Sequence, residues 1–447
     1  MEQDATEKPM ELKNKRVLVV GLGRSGVSSA IFLQEHGAKV IVSDSKAEAQ
    51  LQSEVSALLD RGISIETGRH GERTFRDQDL IVVSPGVPSD QPQLQHARTL
   101  GIPVIGEVEL AFRFLKGKVL AITGSNGKTT TTTLVGEILA KSGKKTLVGG
   151  NIGTPVISLA GQSTPDTMVV LEVSSFQLES IEQFCPWIAA ILNITPDHLD
   201  RHHTFEAYVA AKARIFEKQQ ATDFAVLNAD DPTCVALKDK VKGSLLWFSR
   251  KQRVENGAFV DGDQIVFRQN NQRQNGQEQP VLSRSDIQLK GEHNLENVLA
   301  AVAMTMVAGC TPQQVQQAVK EFRAVEHRLE LVATINGVTF YNDSKATNVD
   351  ATVKALESFP AVARAIVSNG ARQAKKNPHD LLAPPSAQVI ESAETAFVSD
   401  RQLTTDTNRL QHEGAQGSAG IGGLLRRPRI PPAGSGDRRR SPRIRGQ

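Results

Sequence analysis

The stretch VLAITGSNGKTT, residues 119–130, decides the fold. The apolar and β-branched run Val119–Thr123 reads as a strand that enters a Gly-rich turn, and Lys128 then opens a helical stretch to about Lys141. A strand leaving through such a turn into a helix is the first half of a βαβ unit, and therefore of a parallel sheet. Backbone N–H groups in the turn, aided by the positive end of the helix dipole, form an anion site. Lys128 would meet the β- and γ-phosphates of ATP, and the Thr129 hydroxyl would ligate Mg²⁺. Gly124, Ser125, Asn126, Gly127 and Thr130 complete the candidate loop. Its spacing departs from G-x-x-x-x-G-K-[ST], because Ile122 stands where the first Gly belongs. Spacing alone leaves a structural Gly-rich turn as the alternative. The strand before, the helix after and the Gly-Lys-Thr core favour phosphate.

Upstream lies a second block of the same kind. Arg16–Val20 reads as a strand, followed by Gly21-Leu22-Gly23-Arg24-Ser25-Gly26, a helix ending near Gly37, and a strand Lys39–Ser43 that ends at Asp44. Taken alone this G-x-G-x-x-G is a dinucleotide fingerprint, so an NAD-dependent oxidoreductase is the rival reading. The pattern itself says only that a pyrophosphate can approach the backbone here. A strand at Leu80–Val83 leads into Ser84-Pro85-Gly86. Beyond the phosphate loop, strands are expected at Met168–Val173, Ile188–Ile194 and Phe224–Leu227, with helices over Thr204–Phe216 and Asn294–Ala308. A third block begins near Leu329, with strands Leu331–Ile335 and Val338–Tyr341 and a helix Asn348–Ser358. The fold class is therefore α/β, in three domains.

Composition narrows the partners. Of 447 residues, 39% are apolar and 23% charged, which is ordinary for a globular chain too long for one core. The net charge of +3 conceals an asymmetry. Residues 361–447 hold 14 Lys and Arg against 7 Asp and Glu, while residues 1–360 hold 38 against 42. The body is mildly acidic and has no basic stripe with interleaved aromatics, which argues against nucleic acid. No apolar run approaches the roughly 20 residues of a membrane span, and no signal peptide is visible, so a cytoplasmic protein is expected. The cysteines Cys185, Cys234 and Cys310 are far apart and odd in number, as for a chain in a reducing compartment.

Six further segments occur in order with the phosphate loop. They are Gly149-Gly150-Asn151-Ile152-Gly153, Leu171–Glu179 (LEVSSFQLE), Asn193–His202 (NITPDHLDRH), Gly291–Asn297 (GEHNLEN), His327-Arg328 and Asn342–Asn348 (NDSKATN). Together with Thr123–Thr130 they resemble the Mur ligases, and within that family the branch that adds D-glutamate. Folylpolyglutamate synthetases share the ATP loop but lack the N-terminal block, so the G-x-G-x-x-G segment separates the two. The resemblance covers about residues 15–358. It implies an ATP-dependent, amide-forming ligase whose substrates are UDP-N-acetylmuramoyl-L-alanine and D-glutamate, acting as a monomer. It also implies an acyl-phosphate intermediate and two Mg²⁺ ions.

The same resemblance distributes roles. Thr129, Glu172, His198 and Lys212 would serve the metals, Lys212 as a carbamate formed with CO₂, which turns a cation into an anionic oxygen donor. Asn294 and Asn297 would lie on the adenine side, and Arg328 and Asp343 would hold ATP from the next domain. Gly23, Arg24, Ser25, Asp44, Gly86 and Asn151 would bind the UDP-sugar, and Lys345 and Thr347 the D-glutamate. Lys128, Asn151, His198, Lys212 and Lys345 form the expected catalytic set.

The expected domains are 1–106 for the UDP-sugar, 107–325 for ATP, and 326–360 as the start of an amino-acid-binding domain. Residues 361–447 form an aberrant, poorly ordered tail. After Pro360 the only aromatic residue is Phe397, no Lys follows Lys376, and eight Arg fall between Arg426 and Arg445. The Gly-Gly-x-Asp-Lys turn and the Ser-Pro-x-x-x-Ser-x-Asp-x-Phe segment of the resembling family are missing. This points to a reading-frame shift near residues 360–370 or to a diverged third domain. An inactive nucleotide-binding remnant therefore stands beside the ligase reading.

Overall fold

Three runs of strands, each fed by helices, build three sheets. In the computed structural model of the chain, residues 10–271, 274–323, 325, 327–335, 338–346, 348–359 and 395–398 are described. The first sheet contains β1 (Arg16–Val20), β2 (Lys39–Asp44), β3 (Ser64–Thr67), β4 (Leu80–Val83) and β5 (Val104–Gly106). All pairs are parallel, in the order β3-β2-β1-β4-β5. Helix α1 (Arg24–Glu35) follows β1 directly.

The second sheet is larger. It contains β6 (Lys118–Thr123), β7 (Thr146–Gly150), β8 (Met168–Glu172), β9 (Ile188–Ile191), β10 (Phe224–Asn228), β11 (Ser244–Ser249), β12 (Gly257–Asp261), β13 (Gln264–Asn271) and β14 (Gln274–Ser283). Their order is β14-β13-β12-β11-β10-β9-β6-β8-β7, and β13 and β14 are its antiparallel edge. The central strands β6, β8 and β9 are buried almost throughout, as expected of parallel strands covered on both faces. Helices α2 (Lys128–Lys141) and α3 (Phe205–Ala213) flank the loop end of this sheet, and α4 (Glu292–Val307) packs Leu295, Val298, Leu299 and Val302 into the same core as Leu134, Val135 and Ile138 of α2. Because β6 lies between β8 and β9, the carboxyl ends of the three strands converge on one spot.

The third sheet holds β15 (Glu330–Ile335), β16 (Val338–Asn342) and β17 (Thr395–Val398), with helix α5 (Val349–Glu357) after β16. Thr395–Val398 pairs in parallel with β16, so the segment expected to be irregular after Pro360 contains a strand. Most of that segment, including Ala365–Val367, lies outside the described residues.

Two strands are shorter than their sequences suggest. β8 stops at Glu172 because Ser174 caps the short helix Ser175–Leu178, its hydroxyl accepting from Gln177 N–H while the Gln177 side chain accepts from Ser174 N–H. β9 stops at Ile191 because Asn193 turns away to clamp the phosphate loop. The helix expected over Thr204–Phe216 begins after Thr204, which caps it, and tightens into a 3₁₀ turn at Arg214–Phe216.

Candidate active site

The phosphate loop is held open by its own backbone and by two neighbours. Gly127 caps α2 in the left-handed region at φ +83°, where a Cβ would stand 2.1 Å from Asn297 Oδ1. Ser125 N–H donates to Asn193 O at 2.9 Å, and Asn126 N–H to Asn193 Oδ1 at 2.8 Å. Ser125 Oγ donates to Thr195 O and lies 3.0 Å from the Tyr208 hydroxyl. Lys128 Nζ folds back on the loop, donating to Gly124 O at 2.9 Å and Ser125 O at 2.8 Å. Burial lowers the pKa of Lys128, and the Glu172 carboxylate works against that shift.

Glu172, at the end of β8, is 2% exposed. Its Oε2 accepts from Thr129 Oγ1 at 2.8 Å and its Oε1 from Asn151 Nδ2 at 2.9 Å. A hydroxyl and a carboxylate at a helix N-terminus are hard oxygen donors, which fit Mg²⁺. Lys212 on α3 is 1% exposed and donates to Gly124 O at 2.8 Å. Its ammonium also lies 4.6 Å from the Tyr208 ring centroid. Burial, and after it the charge of Lys128, drive the Lys212 pKa well down. His198 adopts φ +53°, stays about half exposed, and lies 3.7 Å from Asp197 and 5.0 Å from the Phe176 ring. Among the described residues no three His, Cys, Asp or Glu side chains are grouped to hold a metal. Of the four residues expected at the metals, the structure joins Thr129 directly to Glu172 and sets Lys212 on the loop, whereas His198 makes no hydrogen bond to the other three.

The start of α5 packs against this loop. Asn126 Nδ2 donates to Asp350 Oδ2 at 2.7 Å, and Asn348 Nδ2 reaches Asp197 at 3.0 Å and Asn126 Oδ1 at 3.3 Å. Beside this contact is a cavity of about 50 Å³, whose lining includes Asn294, Asn297, Arg328, Asp343 and His293. Nucleotide pockets run to roughly 300–1,000 Å³, so this cavity as it stands is too small to admit ATP. Asn297 Nδ2 donates to Asn294 Oδ1 at 3.1 Å. Asp343 accepts from Leu329 N–H, and burial raises its carboxyl to about 6 against the pull of the Arg328 guanidinium. Lys345 is partly buried in the turn after β16, its N–H donating to His327 O. Thr347 lies outside the described residues.

A second cavity of about 420 Å³ opens between the first and second sheets. Gly23, Arg24, Ser25, Asp44, Gly86 and Asn151 all line it, which is the whole set expected at the UDP-sugar. Asp44 accepts from Leu22 N–H at 2.7 Å through Oδ2 and from Lys46 N–H through Oδ1. Both oxygens therefore organise the loop backbone. Asn151 lines this cavity and bonds Glu172, which bonds Thr129, so one hydrogen-bond chain joins the two sites. Arg201 adds a second tie, donating to Val87 O and Glu179 at 3.0 Å each.

Sequence reading assigned no role to Asn193, Tyr208 or Asp350. Asn193 was visible only as part of a motif. Tyr208 sits one helical turn before Lys212, a spacing that puts both on one face of α3. Asp350 carried no local signal at all.

The model of the Mur ligase middle domain matches residues 122–305, and that of the MurD-like N-terminal domain of Mur ligases matches residues 15–106. A UDP-N-acetylmuramoylalanine–D-glutamate ligase of Koribacter versatilis is 64% identical over 350 residues, which cover 78% of this chain and 76% of the relative. A ligase of the same name from Acidobacterium capsulatum is 57% identical over 351 residues, with 78% and 76% covered. Among solved structures, a pseudomurein peptide ligase type C from Methanothermus fervidus has a TM-score of 0.50 at 19% identity, over 87% of this chain and 97% of that one. That likeness concerns the fold.

Proposed function

Because the chain belongs to the Mur ligase family, we propose that it is the ATP-dependent ligase that joins D-glutamate to UDP-N-acetylmuramoyl-L-alanine in peptidoglycan precursor synthesis. The observation that carries this reading is the chain Asn151–Glu172–Thr129, which runs from the larger cavity to the phosphate loop. A UDP-sugar and ATP bound at its two ends would present an acyl carboxylate to a γ-phosphate.

In this reading the L-alanyl carboxylate attacks the γ-phosphate, giving an acyl phosphate and ADP. The D-glutamate amine then attacks the acyl carbon, and phosphate leaves. Catalysis is mostly positioning and neutralisation of charge. Lys128 turns from the loop carbonyls to the phosphates. Gly124, Ser125, Asn126, Gly127 and Thr130 supply the cradle, Asn294 and Asn297 flank the adenine, and Arg328 and Asp343 close on ATP from the third domain. Asn151 and His198 orient the acyl end, while Lys345 and Thr347 hold D-glutamate. We take Thr129 and Glu172 as the ligands of one Mg²⁺, and His198 with a carbamylated Lys212 as those of a second. Held there, Mg²⁺ would supply neutralisation of phosphate charge.

The state of Lys212 supports the carbamate. Carbamylation needs an unprotonated amine to attack CO₂, and burial favours that form. A permanent ammonium beside Lys128 would instead repel metal. We place residues 1–106, 107–325 and 326–360 as the UDP-sugar, ATP and amino-acid domains, with 361–447 as a diverged tail. No helix among the described residues is long and apolar enough to cross a membrane, and nucleotide-activated substrates suit the cytoplasm. The family assignment leaves no place for the oxidoreductase reading.

The test is phosphate release from ATP by the full chain. It should require both UDP-N-acetylmuramoyl-L-alanine and D-glutamate, and Lys128→Ala should abolish it. Binding of both nucleotides without turnover would favour the remnant.

A further inference from the structure

The larger cavity contains a histidine that the roles above do not use. His70 follows β3 and lines the cavity beside Asp44, Ser45 and Lys46, at the carboxyl ends of β2 and β3. Its ring meets Phe75 edge to face at 5.5 Å, which holds its plane. His70 Nδ1 lies 2.8 Å from Ser43 Oγ, and Ser43 Oγ donates to Glu66 Oε2 at 3.2 Å. Glu66 also accepts from Gly71 N–H through Oε1.

This relay favours one tautomer. A carboxylate only accepts, so the single Ser43 proton is committed to Glu66. When Ser43 makes both contacts at once, its Oγ accepts from His70, the arrangement in which the imidazole proton sits on Nδ1. In that tautomer Nε2 carries a lone pair, and it makes no hydrogen bond among the described residues. In that tautomer the cavity has an acceptor on its wall.

The position of that acceptor follows from the ligand's two other ends. The diphosphate belongs at the Gly21–Ser25 turn and the N-terminus of α1. The acyl end must reach Asn151 to meet ATP. The base is left to the opposite side, over β2 and β3, where His70 stands. Uracil carries one imide donor, N3–H, between two carbonyls. Cytosine has an acceptor at N3 and would set two lone pairs against each other.

We propose that His70, locked by Ser43 and Glu66 as a hydrogen-bond acceptor, reads the N3–H of the uracil base and makes the site specific for uridine over cytidine nucleotides. This rests on the reading of the cavity as a UDP-sugar site and adds the means by which the base is chosen.

Titration calorimetry of the full chain with UDP, CDP and N3-methyl-UDP tests it. The wild type should favour UDP over each of the other two by about tenfold or more, since a buried acceptor facing an acceptor or a methyl group loses its partner. His70→Leu should weaken UDP by a similar factor, strengthen CDP by relieving the opposed lone pairs, and leave ATP binding intact. Ser43→Ala, which frees the tautomer without touching ligand, should lower the UDP-to-CDP ratio as well. Equal affinity of the wild type for UDP and N3-methyl-UDP overturns the proposal whatever the variants do. A preference for UDP that survives His70→Leu in a folded chain also overturns it. Failure of the wild type to bind UDP at all removes the site reading itself, and is a different result from lost selectivity.

Discussion

Lys212 Nζ and Lys128 Nζ donate to one and the same oxygen, the carbonyl of Gly124, at 2.8 and 2.9 Å. Two ammonium groups on one acceptor in a poorly solvated site repel each other strongly. The arrangement is relieved when Lys212 is uncharged, and the unprotonated amine is also the form that takes up CO₂. Replacement of Lys212 by Ala is therefore expected to lower kcat by about 100-fold or more, the scale of losing one preorganised electrostatic group. Activity of the wild type should fall in CO₂-depleted buffer and recover with bicarbonate, and a carbamate signal should appear by NMR with ¹³C-bicarbonate. Wild-type activity insensitive to bicarbonate, together with an active Lys212→Ala chain, would remove Lys212 from the chemistry.

A second buried charge sets a pH dependence of stability. Glu107, in the helix Glu107–Phe112, accepts from Ile157 N–H at 2.8 Å, while its Oε2 has no hydrogen-bond partner among the described residues. Burial raises its pKa from 4.5 to about 7, against the pull of the backbone N–H groups. Between these values the folded state holds more protons than the unfolded one, so this group's contribution to stability falls as pH rises. The loss should amount to about 3 kcal/mol between pH 4.5 and pH 8. Glu107→Gln cannot ionise and should lack that component. Urea unfolding of both chains at pH 5 and pH 8 checks this, through a smaller pH difference in the variant.

Much of this architecture is legible in sequence because its signals are local. The helix Lys128–Lys141 and the strand before it were readable to within a residue, since Gly-Lys-Thr, the dipole and the apolar run lie within a dozen positions. The hairpin β13–β14 was not, because QNGQEQPVLS is polar and lacks a strict alternation. Distant partners were also hidden. Asn126 and Asp350 are 224 residues apart, and nothing near either announces the other. Tyr208 reads as an ordinary core aromatic until its hydroxyl is found 3.0 Å from Ser125.

The Asn126–Asp350 bond gives a prediction of its own. Asp350 places an anion against the loop that must receive a polyanion, steadied by Lys354 at 3.0 Å. ATP bound at the loop would meet that carboxylate. Asp350→Asn keeps the size and removes the charge, so the affinity for ATP should rise by about threefold to tenfold. Calorimetry with ATP alone reads this. Unchanged or weaker binding would mean that α5 lifts away with no electrostatic cost.

Gly127→Ala tests the loop from its other side. At φ +83° an L-residue costs about 1–2 kcal/mol, so the thermal midpoint should fall by a few degrees. Ligand binding should suffer more. The new Cβ would stand 2.1 Å from Asn297 Oδ1, and a shift of Asn297 would strain its bond to Asn294 in the cavity lining. The KM for ATP should rise more than tenfold, while UDP binding in the separate 420 Å³ cavity stays as in the wild type. If the clash with Asn297 is the cause, Asn297→Ala in the same chain should restore part of the ATP affinity that Gly127→Ala removes, a coupling that a double-mutant cycle measures. Additive losses in that cycle would instead locate the damage in the backbone of the loop, with Asn297 a bystander.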